Sequence, residues 1–341
     1  MERVTPVLAD SYGRRATDLR VSLTDRCNLR CTYCMPPEGL EWLPKPELLT
    51  DEELLRLIGV GVTRLGITEV RFTGGEPLLR RGLPGLIAGT TALEPRPHTA
   101  LTTNGIGLAR MAPALAEAGL DRVNVSLDTL RHDVFEKLAR RRRLDDVLEG
   151  LEGAARAGLT PVKVNAVLMR DTNEHEAADL LRYCVERGYE LRFIEQMPLD
   201  AQHGWRRDTM ITADEILALL ETEFELDPAD ADTRGSAPAE LFHLRGTRFP
   251  NGEQATVGVI GSVTRPFCGA CDRVRLTADG QVRNCLFARE ESDLRTLLRE
   301  GADDDALVAQ WEAAVASKLP GHGINDPSFL QPARPMSAIG G

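Results

Sequence analysis

DLRVSLTDRCNLRCTYCMP, Asp18 to Pro36, decides how the rest of the chain is read. In its first half Leu19, Val21 and Leu23 alternate with Arg20, Ser22 and Thr24. Side chains of a strand point to opposite faces with period two, so this strand has one apolar face for a helix and one polar face. Its second half places Cys27, Cys31 and Cys34 in a C-x3-C-x2-C loop directly after the strand. The unit of short strand, turn and helical stretch recurs through the first two thirds of the chain. Strands are predicted over Asp18–Thr24, Glu69–Thr73, His98–Asn104, Arg122–Asp128, Pro161–Met169 and Glu190–Met197. Helices are predicted over Asp51–Leu65, Leu108–Ala118, Leu144–Ala157, His175–Arg187 and Ala213–Glu221. Such alternation means βαβ units and a parallel sheet.

Six units fit an open doubly wound sheet or an incomplete barrel. Strands covered by helices on both faces read as nearly continuous apolar runs. Here Val70 and Phe72 alternate with Arg71 and Thr73, Val123 and Val125 with Asn124 and Ser126, and Val162 and Val164 with Lys163 and Asn165. A closed eight-stranded barrel fills its lumen with branched apolar side chains. The polar faces therefore predict an α/β fold, a partial open (β/α)6 TIM-type barrel whose lumen holds a large polar ligand. After about Glu223 the pattern changes, which predicts a smaller C-terminal domain over residues 226–341 behind a barrel of 1–225. Asp227–Pro238 reads as a mobile loop. Short strands follow over Glu240–Leu244, Ala255–Ile260, Arg273–Thr277 and Gln281–Cys285, with Asp279-Gly280 as a hairpin turn. Helices are expected near Leu294–Arg299 and Asp303–Ser317, and the Pro- and Gly-rich tail Pro320–Gly341 is expected over the surface.

Forty-one Lys and Arg against 52 acids give the 341 residues a net charge of −11, which argues against nucleic acid or anionic membrane as partner. No stretch approaches the ~18 consecutive apolar residues of a membrane span. The segment Met1–Tyr12 lacks an apolar signal core, so a cytoplasmic location is expected. Lysine occurs only at Lys45, Lys137, Lys163 and Lys318, which makes each one worth examining. Six of the seven cysteines fall into two triplets, a pattern of reduced metal thiolates rather than a disulfide framework.

A [4Fe–4S] cluster is normally held by four thiolates, so three leave one iron open to a ligand. The competing reading, a zinc knuckle, wants four protein ligands, and the nearest histidine in sequence is His98. The second triplet, Cys268-x2-Cys271-x13-Cys285, would alone suit zinc or a redox pair; the thioredoxin-like βαβ context of the latter is absent.

With Tyr33 before its last cysteine, the first loop resembles the signature of the radical S-adenosylmethionine (SAM) superfamily, and Gly74-Gly75-Glu76-Pro77 resembles that superfamily's GGE motif. Adding the second triplet and Arg273-Val274-Arg275 makes the chain similar to the GTP 3′,8-cyclase family. The similarity runs through EVRFTGGEPLLRR (69–81), LTTNG (101–105), RVNVSLDTL (122–130), VKVNAV (162–167), LRFIEQM (191–197), FCGACDRVRL (267–276), NCLFA (284–288) and the final IGG. The resemblance implies two [4Fe–4S] clusters, on Cys27, Cys31 and Cys34 and on Cys268, Cys271 and Cys285. The first cleaves SAM to a 5′-deoxyadenosyl radical that takes hydrogen from the ribose C3′ of GTP. The product is (8S)-3′,8-cyclo-7,8-dihydroguanosine 5′-triphosphate, the first step of molybdenum cofactor biosynthesis. The resemblance further implies Tyr33, Gly75, Ser126 and Met197 around SAM, and Arg20, Arg71, Thr102, Lys163, Arg273, Val274 and Arg275 around GTP. Of these, the first three cysteines with Arg273 and Arg275 carry catalysis. A homodimer, a reduced flavodoxin or ferredoxin as electron donor, and hand-off to the next enzyme of the molybdopterin pathway follow on the same ground, as does insertion of the Gly340-Gly341 tail into the active site.

Physical chemistry supports the cationic set, because a triphosphate needs several fixed donors and Arg offers bidentate geometry to its oxygens. Arg192, also on a strand, is a weaker candidate for phosphate or for the SAM carboxylate. Other features are set aside. Arg140–Arg143 reads as a solvated helix junction, Cys184 as a buried small hydrophobe, and His175-Glu176-Ala177-Ala178-Asp179 lacks the second histidine of a zinc protease. The rival readings are a radical SAM enzyme that modifies peptides and a non-enzymatic iron–sulfur or zinc protein. The first usually carries more auxiliary cysteines, and the polar lumen and GGEP argue against the second.

Overall fold

The structure is a computed structural model that describes residues 7–230 and 234–340. The six units are β1 (Asp18–Ser22), α1 (Asp51–Leu65), β2 (Glu69–Thr73), α2 (Leu83–Thr91), β3 (His98–Thr103), α3 (Leu108–Glu117), β4 (Arg122–Ser126), α4 (His132–Ala139), α5 (Leu144–Arg156), β5 (Val162–Val167), α6 (Ala177–Glu186), β6 (Glu190–Ile194) and α7 (Ala213–Glu221). Local chemistry starts and stops them. Thr50 and Glu53 form a capping box at the head of α1, which ends where Gly66 turns left-handed at φ 77°. Between those ends Leu54, Leu57, Ile58, Val62 and Leu65 bury one face. The helices α2 and α4 lie outside the sequence expectations. The first is only nine residues long and contains Pro84, Gly85 and Gly89, yet Leu83, Leu86 and Ile87 pack into the core and hold it.

The C-terminal third adds β7 (Leu226–Pro228), β8 (Glu240–Arg248), β9 (Gln254–Ile260), β10 (Arg273–Leu276), β11 (Gln281–Arg283), β12 (Ser292–Asp293), α8 (Arg295–Arg299), α9 (Asp304–Ala316) and α10 (Met336–Ile339). All strands form one sheet in the order β12-β11-β10-β1-β2-β3-β4-β5-β6-β9-β8-β7. The strand β10 pairs parallel with β1, and β9 pairs parallel with β6, so the late strands extend the barrel at both edges. Arg20 stands beside both Arg71 and Arg275 in that register.

The alternation works as expected. Leu19, Val21, Val70, Phe72, Val123, Val125, Val164, Val274 and Leu276 are fully buried in the core between sheet and helices, while their polar neighbours face the lumen. Two expectations fail. The start of Asp227–Pro238 is not loop, because Leu226–Pro228 pairs antiparallel with β8; residues 231–233 of that segment lie outside the described residues. Nor does the whole tail lie over the surface: most of residues 320–330 are exposed, but α10 leads into the barrel and Gly340 is buried against Ser22 and Thr73. Gly341 lies outside the described residues.

Candidate active site

The lumen opens into a cavity of ≈ 370 Å³ lined by all six cysteines of the two triplets. Cys27, Cys31 and Cys34 stand on the loop after β1. Cys27 Sγ accepts the Leu29 N–H at 3.5 Å and Asn104 Nδ2 at 3.8 Å. Arg140, just past α4, has φ 54° and donates to the carbonyls of Arg30 and Met35 at 3.1 and 2.9 Å, clamping the loop. Of the run Arg140–Arg143, only the last three residues are exposed, so the expected solvated junction holds for them and not for Arg140. Burial raises the thiols, Cys34 to about 12 and Cys31 well above its ordinary value, with Asp128 and the neighbouring thiols adding to Cys31. Three cysteines on one short loop facing the cavity match a cubane cluster held through three of its irons, and metal binding displaces their protons, so the donor set fits such a cluster.

Cys268 and Cys271 precede β10 and Cys285 follows β11. Burial raises Cys271, but Lys318 and Arg273 more than offset it and hold the thiol below its ordinary value. Among the described residues no three Cys, His, Asp or Glu side chains converge on a single ion. A cubane cluster does not ask this of them, since its thiolates bind different irons. This donor set fits such a cluster too.

Arg20, Arg71, Arg273 and Arg275 all face the cavity, as does Thr102. Their shared counter-charge is Asp18, which sequence reasoning passed over. Its Oδ2 lies 3.8 Å from Arg20, 3.7 Å from Arg71 and 4.0 Å from Arg273. Burial pushes the Asp18 carboxyl up, yet the guanidiniums of Arg20, Arg71, Arg273 and Arg275 hold it below its ordinary value. Burial lowers Arg20 to about 10 against the attraction of Asp18, and lowers Arg192 to about 9 with Arg71 and Arg122 adding repulsion. Arginine stays charged in proteins, so these shifts reflect guanidiniums buried beside one another more than their ion pairs offset. Arg20 Nε, Arg71 Nε and Arg192 Nε are buried with no hydrogen-bond acceptor among the described residues. The lumen is built to receive an anion.

Two of the expected GTP residues are not in the cavity lining. Lys163 pairs with Glu190 at 2.5 Å, and the Val274 side chain belongs to the helix-side core. Arg192, the weaker candidate, does line it and donates to Asn124 Oδ1 at 3.0 Å.

Tyr33, Gly75, Ser126 and Met197 line the cavity, and Tyr33 stands within the first cysteine loop. The Tyr33 hydroxyl donates to Asp128 Oδ2 at 2.7 Å; burial raises Asp128 to about 6 against that bond and the Val167 N–H. Gly75 is required by space, because a β-carbon there would overlap the carbonyl oxygens of Arg26 and Asp25. Glu76 is fully buried and absent from the lining. It accepts the N–H groups of Leu78 and Asn104 at 3.0 and 2.7 Å and the Thr103 hydroxyl at 2.7 Å, so it supports the loops instead. Asp128, Asn124 and Asn165 also line the cavity; the last two are legible as the polar alternates of their strands. From the tail, the Gly340 carbonyl accepts a hydrogen bond from Arg275 Nη1. A second depression of ≈ 410 Å³, lined by Leu79, Arg110 and Glu149, holds none of the candidate residues.

Residues 21–184 match the radical SAM superfamily and residues 189–324 match Molybdenum Cofactor Synthesis C. A GTP 3′,8-cyclase of Streptomyces coelicolor is 65% identical over 98% of this chain and 96% of its own length. A Mycobacterium tuberculosis protein named GTP 3′,8-cyclase 2 is 61% identical over 99% and 94%. The structure of Streptococcus suis SuiB bound to S-adenosylmethionine superposes with a TM-score of 0.57 at 14% identity, over 89% of this chain and 68% of that one, a likeness of fold alone. By its near full-length identity with these relatives, the chain belongs to the GTP 3′,8-cyclase family of radical SAM enzymes.

Proposed function

We propose that this chain cyclises GTP to (8S)-3′,8-cyclo-7,8-dihydroguanosine 5′-triphosphate, the first step of molybdenum cofactor biosynthesis. The observation that carries the reading is one cavity in which two cysteine triplets flank an under-compensated arginine cluster. Cys27, Cys31 and Cys34 would hold a [4Fe–4S] cluster with one iron left for SAM, and Cys268, Cys271 and Cys285 a second one facing GTP. When bound, the first cluster supplies one-electron reductive cleavage of SAM and thereby the hydrogen abstraction at ribose C3′.

The chain's own contribution is binding, orientation and exclusion of water. Arg20, Arg71, Arg273 and Arg275 take the triphosphate oxygens through planar forks that no rotating ammonium could replace. Arg192 completes the cluster from β6. Thr102 sits beside Asn124 and accepts its amide at 3.3 Å, leaving the threonine hydroxyl hydrogen for substrate. Lys163 reaches a phosphate only by leaving Glu190, and Val274 contributes through its main chain. Tyr33, Gly75, Ser126 and Met197 surround SAM, where Asp128 fixes Tyr33. Ile194, Ile260, Phe267 and Met336 line the same space and keep it dry. A homodimer, reduced flavodoxin or ferredoxin as donor, hand-off to the next molybdopterin enzyme and a cytoplasmic setting rest on family resemblance; no described helix is long and apolar enough to cross a membrane.

The test is an anaerobic assay of reconstituted protein with SAM, dithionite and each nucleoside triphosphate, followed by mass spectrometry. Deoxyadenosine together with a cyclised product from GTP alone is expected. Deoxyadenosine with no nucleotide product would remove GTP as substrate. Metal analysis should give about eight irons per chain and no zinc.

A further inference from the structure

Two of the four lysines, Lys45 and Lys137, are exposed, and Lys163 pairs with Glu190. Lys318 is different. It follows α9 and is only 5% exposed. Its ammonium donates to the Arg273 carbonyl at 2.9 Å, to the Cys271 carbonyl at 3.1 Å and to Cys271 Sγ at 3.5 Å. A lysine ammonium has three N–H donors, so all are used. None of the ion pairs among the described residues includes Lys318. A buried cation without a carboxylate is costly unless another anion compensates it, and the group it touches is the Cys271 sulfur, which as a cluster ligand would be a thiolate.

Arg273 also approaches this sulfur, with Nη1 at 3.7 Å. The two cations differ in freedom. Arg273 lies on the lumen face, donates from Nη2 to the Ser236 carbonyl and pairs with Asp18 and Asp272, partners it would exchange for a triphosphate. Lys318 is tied by two main-chain carbonyls of the cysteine loop itself, so it stays on the sulfur whatever the lumen holds. One of those carbonyls belongs to Arg273, so the same lysine also fixes where that arginine leaves the backbone.

We infer that Lys318 is a positioning residue for the second cluster, a fixed cationic hydrogen-bond donor to the Cys271 sulfur that raises the cluster's reduction potential. The inference rests on the reading that Cys268, Cys271 and Cys285 hold a [4Fe–4S] cluster. Its logic is charge. A 2+ core on three thiolates carries −1 and becomes −2 on taking one electron, and hydrogen bonds to the sulfurs favour the more negative form. The ammonium therefore stabilises the reduced state more than the oxidised one.

The test uses the full-length chain with Cys27, Cys31 and Cys34 changed to Ser, so that only the second cluster is reconstituted. Iron content and an electron-paramagnetic-resonance redox titration are measured with Lys318, Lys318→Met and Lys318→Arg. With Met the reduction equilibrium constant should fall at least about tenfold, a drop of about 59 mV for one electron. Arg should recover most of it. An iron-loaded Met variant with the parent's potential overturns the inference and leaves the cluster reading standing. A parent that binds no iron overturns both. If the Met variant fails to load, Lys318→Gln, which keeps N–H donors without the charge, replaces it, and an unchanged potential there refutes the role. A purely structural lysine would alter iron retention and melting without moving the potential.

Discussion

Replacing Asp18 by Asn should weaken the ligand-free fold and strengthen its grip on GTP at the same time. Three guanidiniums approach this carboxylate at 3.7–4.0 Å. At an effective dielectric near 20 each such contact is worth about 4 kcal/mol of gross attraction, offset by desolvation. Removing one partner of a buried ionic group costs about 3–5 kcal/mol net. Unfolding entropy of about 2.1 cal/mol/K per residue, over a chain this long, makes 1 kcal/mol roughly 1.4 °C. The Asp18→Asn melting temperature should thus lie about 4–7 °C below the parent without nucleotide. GTP should recover about 1.4 kcal/mol of the deficit, about 2 °C, because its Kd should fall about tenfold once the triphosphate no longer competes with Asp18 for the arginines. The pH dependence has a definite sign. The folded Asp18 carboxyl titrates below its ordinary 3.8, so its stabilisation is present above that value and lost as pH falls through the folded one. Parent and variant should converge on acidification. Anaerobic thermal melts of the cluster-loaded protein, with and without GTP, decide the matter. An Asn variant that melts with the parent and gains no extra stability from GTP refutes Asp18 as the resident stand-in for the triphosphate.

Gly75→Ala should weaken SAM binding by about 100-fold, since the new methyl overlaps the Arg26 and Asp25 carbonyls and forces the loop apart; equilibrium dialysis with SAM reads it. Glu76 is fully buried and raised to about 7 by that burial, against hydrogen bonds from Asn104, Leu78 and Thr103. A raised folded value means stability is lost as pH rises from the ordinary 4.5 through 7, so the parent should lose roughly 3 kcal/mol relative to Glu76→Gln over that span. Melts at pH 5 and pH 8 that keep a constant difference would show the carboxylate ionised throughout. Arg140→Ala removes both donors that clamp the first cysteine loop and should speed iron loss several-fold on gel filtration. Arg140→Gly, which also relieves φ 54°, should lose iron equally fast if the clamp matters and more slowly than Ala if strain does.

The period-two alternation made the six barrel strands and their lumen faces legible, because it is local and each apolar alternate has a helix to meet. What the sequence hid is pairing at long range. Arg273 and Arg275 lie some 250 residues from Arg20, and no local signal says that β10 pairs with β1. Asp18 reads as one acid before an apolar run until that pairing puts arginines around it. Lys163 and Arg192 look alike on their strands. The register sets Lys163 against Glu190, which takes its charge, whereas Arg192 faces Asn165 and keeps a buried Nε without acceptor. Arg140 sits in a run that composition marks as solvated, and only its left-handed backbone turns it back to the cysteine loop.

The strand directions also set the length that a ligand touching both triplets would span. Cys27, Cys31 and Cys34 follow the C-terminal end of β1, whereas Cys271 precedes the N-terminal end of β10, which runs parallel to β1. Cys285 follows β11, which runs antiparallel to β10, and so returns to that same lower end. The two triplets therefore stand at opposite ends of the lumen, separated by strands whose five residues span on the order of 15 Å. The arginine rows lie between them: Arg20 beside Arg71 and Arg275, and Arg273 one layer lower beside Asp18. A ligand that meets the lower thiolates with one end and presents a C–H bond to the upper loop with another must fill this length and leave an anionic group in the middle. A nucleoside triphosphate folded over the arginines has that length and that central charge. Because the row draws Arg20 and Arg71 from the first part of the chain and Arg273 and Arg275 from the last, neither part has the site alone.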